Sequence, residues 1–264
     1  MSTSRSPTPT WPCSTRSAEL EQIVERLRAA GCVFAEDEAA VILGTATTPD
    51  EVERMVAQRV EGAPLEIVVG WAELGGIRFA VSPGVFVPRR RTEFLVELGR
   101  ALRPTVVLDL CCGSGAVGAA IGAAELHATD IDPVAVECAR RNVAGSVYLG
   151  DLFDPLPASL TGRVDLVTLI APYVPTDEIA LLPREARLYE PAFTLDGGVD
   201  GLAIVRRVAA EAARWLAPGG SLLTEVSELQ APDVVALFEA GGLSARIEED
   251  EERWATVVVA TAPL

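Results

Sequence analysis

Val106–Gly118 reads VVLDLCCGSGAVG. Its aliphatic start predicts a buried strand. Gly113 and Gly115 predict a tight turn, and the small residues from Ala116 to Ala124 predict a closely packed helix. Where a strand of a parallel sheet ends in such a turn, the backbone can approach a ligand. The amides that open the helix then supply donors and a partial positive charge. The stretch therefore predicts a nucleotide-binding turn, with Asp109 at the end of its strand.

Around this turn the chain alternates strand and helix. Strands are expected at residues 125–129, 146–149, 164–170, 220–226, 245–249 and 256–261, with helices at 133–142, 201–216 and 232–240. That order predicts an α/β domain over residues 91–264 whose mainly parallel sheet is covered on both faces. The acidic EEDEER near the end predicts an exposed turn, and Thr92 is the expected N-cap of a helix over 93–102. Residues 64–90 carry two β-prone runs, Ile67–Val69 and Ile77–Val81, divided by Gly75 and Gly76, which predicts a hairpin linker. Residues 17–63 predict a small helical domain with helices at 17–30, 36–43 and 49–60, Ser17 capping the first and Gly31 ending it. Residues 1–16 are expected to be a disordered leader.

Composition narrows the function classes. A net charge of −16 over 264 residues argues against a general nucleic-acid binder, which concentrates positive charge. Arg89–Arg91 is the only basic run, and both a ligand contact and a solvated turn fit it. No apolar run approaches the roughly 20 residues of a membrane span, and the N-terminal stretch lacks the apolar core of a secretory signal. The five cysteines, Cys13, Cys32, Cys111, Cys112 and Cys138, show no paired metal-ligand spacing. A reduced, cytoplasmic protein without a metal site or a membrane partner is expected.

A glycine turn alone does not separate dehydrogenases, flavoproteins and nucleoside-cofactor enzymes. The next two strand ends add the information. Asp130, in HATDIDP, stands where a carboxylate can accept from ribose hydroxyls, and Asp151, in LGDLF, stands where one can face an adenine amino group. CCGSG is poorer in glycine than the pyrophosphate-binding fingerprint. His127, the sole histidine, lies on an apolar strand and reads as structural. Together these features resemble S-adenosylmethionine-dependent methyltransferases with a Rossmann-like sheet.

Further downstream, IAPYVPTDE at residues 170–178 resembles the acceptor motif of the HemK-type protein (release factor) N5-glutamine methyltransferases, Asn-Pro-Pro-Tyr. Pro172 and Tyr173 match it, while Ile170 and Ala171 depart from it. GVFVPRRRTE upstream and EPAFTLDGGVDGL downstream resemble the segments that flank the family's core. The resemblance implies a class I methyltransferase sheet with a small N-terminal helical domain and a β-hairpin linker. It implies S-adenosylmethionine as cofactor, held by Asp109, Cys111, Cys112, Gly113, Ser114, Gly115, Asp130, Ile131, Asp151, Leu152 and Ile170. The acceptor is implied to lie against Ile170, Ala171, Pro172 and Tyr173, with Glu190 and Pro191 bordering it, and to attack the methyl group in line without an assigned general base. In the family the motif's asparagine holds the substrate amide, and Ile170 has no polar atom for that task. Three acceptor readings follow: a protein glutamine loop, a small molecule, or binding without transfer.

Overall fold

The computed structural model describes residues 13–264, so residues 1–12 of the expected leader lie outside the described residues. Two compact units divide at Gly70 and Trp71.

The first unit holds helices α1 (Cys13–Ala29), α2 (Ala35–Thr45), α3 (Pro49–Val60) and α4 (Leu65–Val69). Leu27, Ala35, Ala39, Ile42 and Val56 form its dry centre. α3 starts on a reciprocal cap. Thr48 Oγ1 accepts from the Glu51 amide at 3.2 Å, and the Glu51 carboxylate accepts from the Thr47 amide at 2.7 Å. Two expectations need correction here. α1 begins ahead of Ser17, which sits inside the helix instead of capping it. Ile67–Val69, expected as a β-prone run, belongs to α4, since so short an apolar run carries no period that separates strand from helix.

The second unit opens with the hairpin β1 (Trp71–Leu74) and β2 (Ile77–Ala80), turned at Gly75 and Gly76 as expected. Asn142 fastens the hairpin to this unit. The Ala80 amide donates to Asn142 Oδ1 at 2.8 Å, and Asn142 Nδ2 donates to the Ala80 and Ser114 carbonyls, each at 2.8 Å. Then follow α5 (Thr92–Ala101), β3 (Val106–Leu110), α6 (Ala116–Ile121), β4 (Glu125–Asp130), α7 (Pro133–Asn142), β5 (Ser146–Leu149) and β6 (Val164–Leu169). The chain continues through α8 (Arg184–Tyr189), α9 (Ala203–Trp215), β7 (Leu216–Val226), α10 (Ala231–Ala240), β8 (Ser244–Asp250) and β9 (Ala255–Thr261).

The strands form one seven-stranded sheet in the order β5-β4-β3-β6-β7-β9-β8. β5 through β7 pair in parallel, and β9 runs antiparallel between β7 and β8. Successive residues of β3 face opposite sides. Val106, Leu108 and Leu110 join the core built with α9 and α10, including Val205, Val208 and Phe238. Asp109 faces the other layer, where it meets α6. From β3 the chain moves out to β4 and β5 on one side and then crosses to β6 on the other. The carboxyl end of β3 is therefore the switch point at which open α/β sheets leave a crevice.

Two residues around that crevice do other work than expected. Thr92 does not cap α5: its hydroxyl donates to Glu225 Oε2 at 2.8 Å, and no side chain caps this helix. Gly115 has φ +75°, and a Cβ there would lie 2.5 Å from Val143 Cγ2 and 3.1 Å from Ala139 Cβ. This glycine lets the turn pack on α7. Gly115→Ala is expected to lower unfolding free energy by about 2–4 kcal/mol, from the left-handed backbone and the overlap together. Urea denaturation measures it, and a change below about 0.5 kcal/mol would show that the packing is not tight.

Candidate active site

A cavity of about 720 Å³ opens at the carboxyl ends of β3, β4, β5 and β6. Its size falls within the range of small-molecule sites, roughly 300–1,000 Å³. Cys111, Cys112, Gly113 and Ser114 from the glycine turn, Asp130 and Ile131 after β4, and Asp151 and Leu152 after β5 all border it. Ile170, Ala171, Pro172 and Tyr173 border it from the end of β6, and Asp109 lies at its floor. The structure thus brings together every residue singled out from the sequence for cofactor or acceptor except Gly115, which lies off the cavity against α7, and Pro191.

The carboxylates differ in what they hold. Asp109 is 1% exposed. It accepts from Thr168 Oγ1 at 2.8 Å and from the Gly118 amide at 3.0 Å, tying β3 to β6 and α6. Burial pushes its carboxyl up to about 7 against the pull of those two donors, with Asp130 adding a smaller push. Asp130 holds the turn. Its Oδ2 accepts from the Gly113 amide at 2.8 Å and its Oδ1 from the Asp132 amide at 2.9 Å. Burial raises its pKa, and the amides of Asp132 and Gly113 restrain the rise. Asp151 accepts from Arg207 Nη2 at 2.7 Å in a half-exposed pair at the rim.

Two residues at the cavity carry backbone strain, one in the glycine turn and one after β5. Cys111 and Leu152 adopt φ of +52° and +46°, a region side chains rarely occupy, and both border the cavity. A Cβ on Gly113 would meet only the Phe86 carbonyl, at 3.9 Å, so the turn leaves open space beside its backbone. The hydroxyls of Ser114 and Thr129 are buried at this wall and have no partner among the described residues. The Cys111 thiol is pushed well above its ordinary pKa, by burial first and then by Asp130 and Asp109.

At the acceptor end, Tyr173 is fixed at both ends. Its hydroxyl accepts from Arg91 Nη2, and its carbonyl accepts from Gln230 Nε2 at 2.9 Å. Arg91 Nε in turn donates to the buried Glu225 at 2.6 Å. Arg89 pairs with Glu190 beside it. Burial, reinforced by Glu225, raises the Tyr173 phenol and keeps it protonated. Phe86, Leu182 and Phe193 add apolar wall. His127 lies off the cavity and bonds Tyr148 Oη at 3.1 Å and Glu125 at 3.0 Å.

Sequence reasoning missed the Arg91–Glu225–Thr92 network, Thr129, Phe86 and Arg207. The basic run at residues 89–91 was the available signal, and the structure puts Arg89 and Arg91, but not Arg90, on the cavity.

The family model of ribosomal protein L11 methyltransferase (PrmA) matches residues 95–148, from α5 through β5. A release factor glutamine methyltransferase of Mycolicibacterium smegmatis is 39% identical over 201 residues, covering 72% of this chain and 71% of its own. A 4-amino-L-phenylalanine/4-methylamino-L-phenylalanine methyltransferase of Streptomyces pristinaespiralis is 35% identical over 210 residues, covering 74% and 71%. Among solved structures, a methyltransferase from Pyrococcus furiosus has the same fold, with a TM-score of 0.52, 17% identity, and coverage of 70% of this chain and 89% of its own. The chain has the Rossmann-like class I methyltransferase fold and belongs to the release factor glutamine methyltransferase family, enzymes that take their methyl group from S-adenosylmethionine.

Proposed function

We propose that the chain is an N-methyltransferase whose acceptor is the amine nitrogen of a small molecule. The observation that carries this reading is Ile170, an apolar side chain on the cavity wall at the position where the family motif has asparagine, followed by the buried Ala171. An amide nitrogen shares its lone pair with its carbonyl, so it needs polar partners to turn that pair toward the methyl group. A neutral arylamine shares its lone pair with its ring less than an amide does with its carbonyl and has no proton to lose before attack, so it needs little beyond alignment and a dry wall, which Ile170, Phe86, Leu182 and Phe193 supply. The Streptomyces pristinaespiralis relative, named for a 4-amino-L-phenylalanine acceptor, supports it. A protein glutamine loop is the second reading, favoured by the relatives' names and by the retained Pro172 and Tyr173.

The cavity's donor set fits S-adenosylmethionine. In this reading Asp130 takes the ribose hydroxyls and Asp151 the adenine amino group, with Ile131 and Leu152 as apolar neighbours. Cys111, Cys112, Gly113 and the unpartnered Ser114 and Thr129 hydroxyls face the polar remainder. When bound, the cofactor supplies an electrophilic methyl group on a sulfonium. Asp109 acts one step back, by holding α6 and β6 to β3. The Cys111 and Cys112 thiols, held protonated by burial, take no part in transfer. Among the described residues no helix is long and apolar enough to cross a membrane and no cluster could hold a metal ion. The reading places the enzyme in the cytoplasm, without a nucleic-acid or membrane partner.

The test is incubation with methyl-labelled S-adenosylmethionine and either a purified release factor or a metabolite extract. Label is expected in small amines, and label in the release factor alone would overturn the reading. Ile170→Asn is expected to cut amine methylation about tenfold, because the new amide is left without a partner on an apolar wall at about 1–3 kcal/mol. It should raise labelling of the release factor. An unchanged amine rate would show that Ile170 does not touch the acceptor.

A further inference from the structure

We infer that Arg89, Arg91 and Tyr173 form a carboxylate-binding subsite, and that the acceptor is an amino acid or another small amine bearing a carboxylate. This rests on the small-amine reading above and names the substrate class.

Both arginines precede α5 and border the cavity. Each is paired with a nearly buried glutamate. The Glu190 and Glu225 side chains are 6% and 2% exposed, against 38% for Arg89 and 37% for Arg91. A molecule in the cavity therefore meets guanidinium edges more than carboxylate oxygens: Glu190 borders the cavity but is nearly buried, and Glu225 does not border it. Those edges have donors to spare. Arg91 spends Nε on Glu225 and Nη2 on the Tyr173 hydroxyl, and its Nη1 has no partner among the described residues. Arg89 spends Nη2 on Glu190, and its Nε and Nη1 have none.

Tyr173 adds a donor of its own. A guanidinium donates and cannot accept, so the phenol oxygen must accept from Arg91, which leaves the O–H free to donate. This end of the cavity offers mainly donors, its bordering carboxylate Glu190 being paired with Arg89, whereas the nucleoside end offers Asp130, Asp132 and Asp151. Planar, forked N–H groups suit a carboxylate. Glu190 and Glu225 cancel the two positive charges, which favours a singly charged carboxylate over a doubly charged phosphate. Tyr173 lies three residues beyond Ile170 in the same cavity wall. One small molecule can thus reach the arginines with its carboxylate and the apolar wall with its amine.

The experiment is calorimetry on the enzyme loaded with S-adenosylhomocysteine, using 4-amino-L-phenylalanine, its carboxamide, 4-aminobenzoate and inorganic phosphate, with methyl transfer to each amine measured in parallel. The acids are expected to bind about 10- to 100-fold more tightly than the carboxamide. Because removing one arginine strands a buried glutamate, the gap is tested in the paired variants Arg89→Met with Glu190→Gln and Arg91→Met with Glu225→Gln, and in Arg89→Lys. Either paired variant should bring acid and carboxamide to within about threefold, and Arg89→Lys should restore part of the preference. Equal binding of acid and carboxamide by the parent overturns the subsite, as do binding of none of the acids, a gap that persists in the folded paired variants, and phosphate outcompeting the acids. Acid-selective binding without any methyl transfer keeps the subsite and defeats the amine-transfer reading. Transfer to acid and carboxamide alike keeps that reading and defeats the subsite.

Discussion

Asp130→Ala is expected to weaken S-adenosylmethionine binding a hundredfold or more, measured by calorimetry at neutral pH. Two losses combine. The substitution removes the acceptor proposed for the ribose hydroxyls, and hydrogen bonds to a charged group are worth about 1.5–3 kcal/mol each. It also frees the Gly113 and Asp132 amides, now held at 2.8 and 2.9 Å, so the turn is no longer fixed beside the ligand. Fold stability should change far less, by about 1 kcal/mol, because a partly buried carboxylate whose pKa is pushed up by burial is itself costly to keep ionised. A useful comparison is Asp151→Asn. The only partner of its side chain among the described residues is the half-exposed Arg207, and exposed pairs contribute little, so a loss below about tenfold is expected. If Asp130→Ala binds within threefold of the parent, the cofactor's ribose does not sit on this strand end.

The contrast between Asp130 and its surroundings shows what the sequence could reveal. α7 runs Pro133–Asn142 as expected, because Asp132 and Pro133 write a helix start locally: the Asp132 side chain accepts from the Val134 amide and proline occupies the first turn. β3 and β5 are equally legible from short aliphatic runs bounded by turn residues. The three strand-end aspartates could be placed on one edge because a parallel sheet puts all its carboxyl ends on one side. What could not be read depends on partners distant in the chain. Thr92 has every local mark of a cap, yet its hydroxyl goes to Glu225, 133 residues away. Arg91 belongs to the same network at a separation of 134 residues, so a basic run looked equally like a solvated turn. Gly115 reads as a ligand-approach glycine until Val143 and Ala139 are seen against it. Asp109 looks like the other two strand-end aspartates in sequence, and only the structure turns it inward to Thr168 and Gly118.

That inward turn makes Asp109 the source of the largest expected pH effect. Its carboxyl titrates at about 7 in the folded chain, raised chiefly by burial, while an unfolded aspartate titrates at about 3.9. Below about pH 4 both states hold the proton and the group adds no pH dependence. Between about 4 and 7 the folded chain keeps a proton that the unfolded chain has released, so each unit of rising pH removes about 1.4 kcal/mol of stability. Above about 7 both states are ionised and the loss is complete, at about 4 kcal/mol. The other carboxylates of this acidic chain titrate too, so the measurement is a difference. Asp109→Asn keeps the geometry, with Oδ1 accepting from the Gly118 amide and Nδ2 donating to the Thr168 hydroxyl, but has no proton to lose. Urea unfolding of the parent and the Asp109→Asn chain from about pH 4 to about pH 8 should show near-equal stability at the acid end. The gap should then widen as pH rises, until the substituted chain is more stable by up to about 4 kcal/mol at the alkaline end. A difference that stays flat across that range would mean that Asp109 is ionised throughout, with its two donors outweighing its burial.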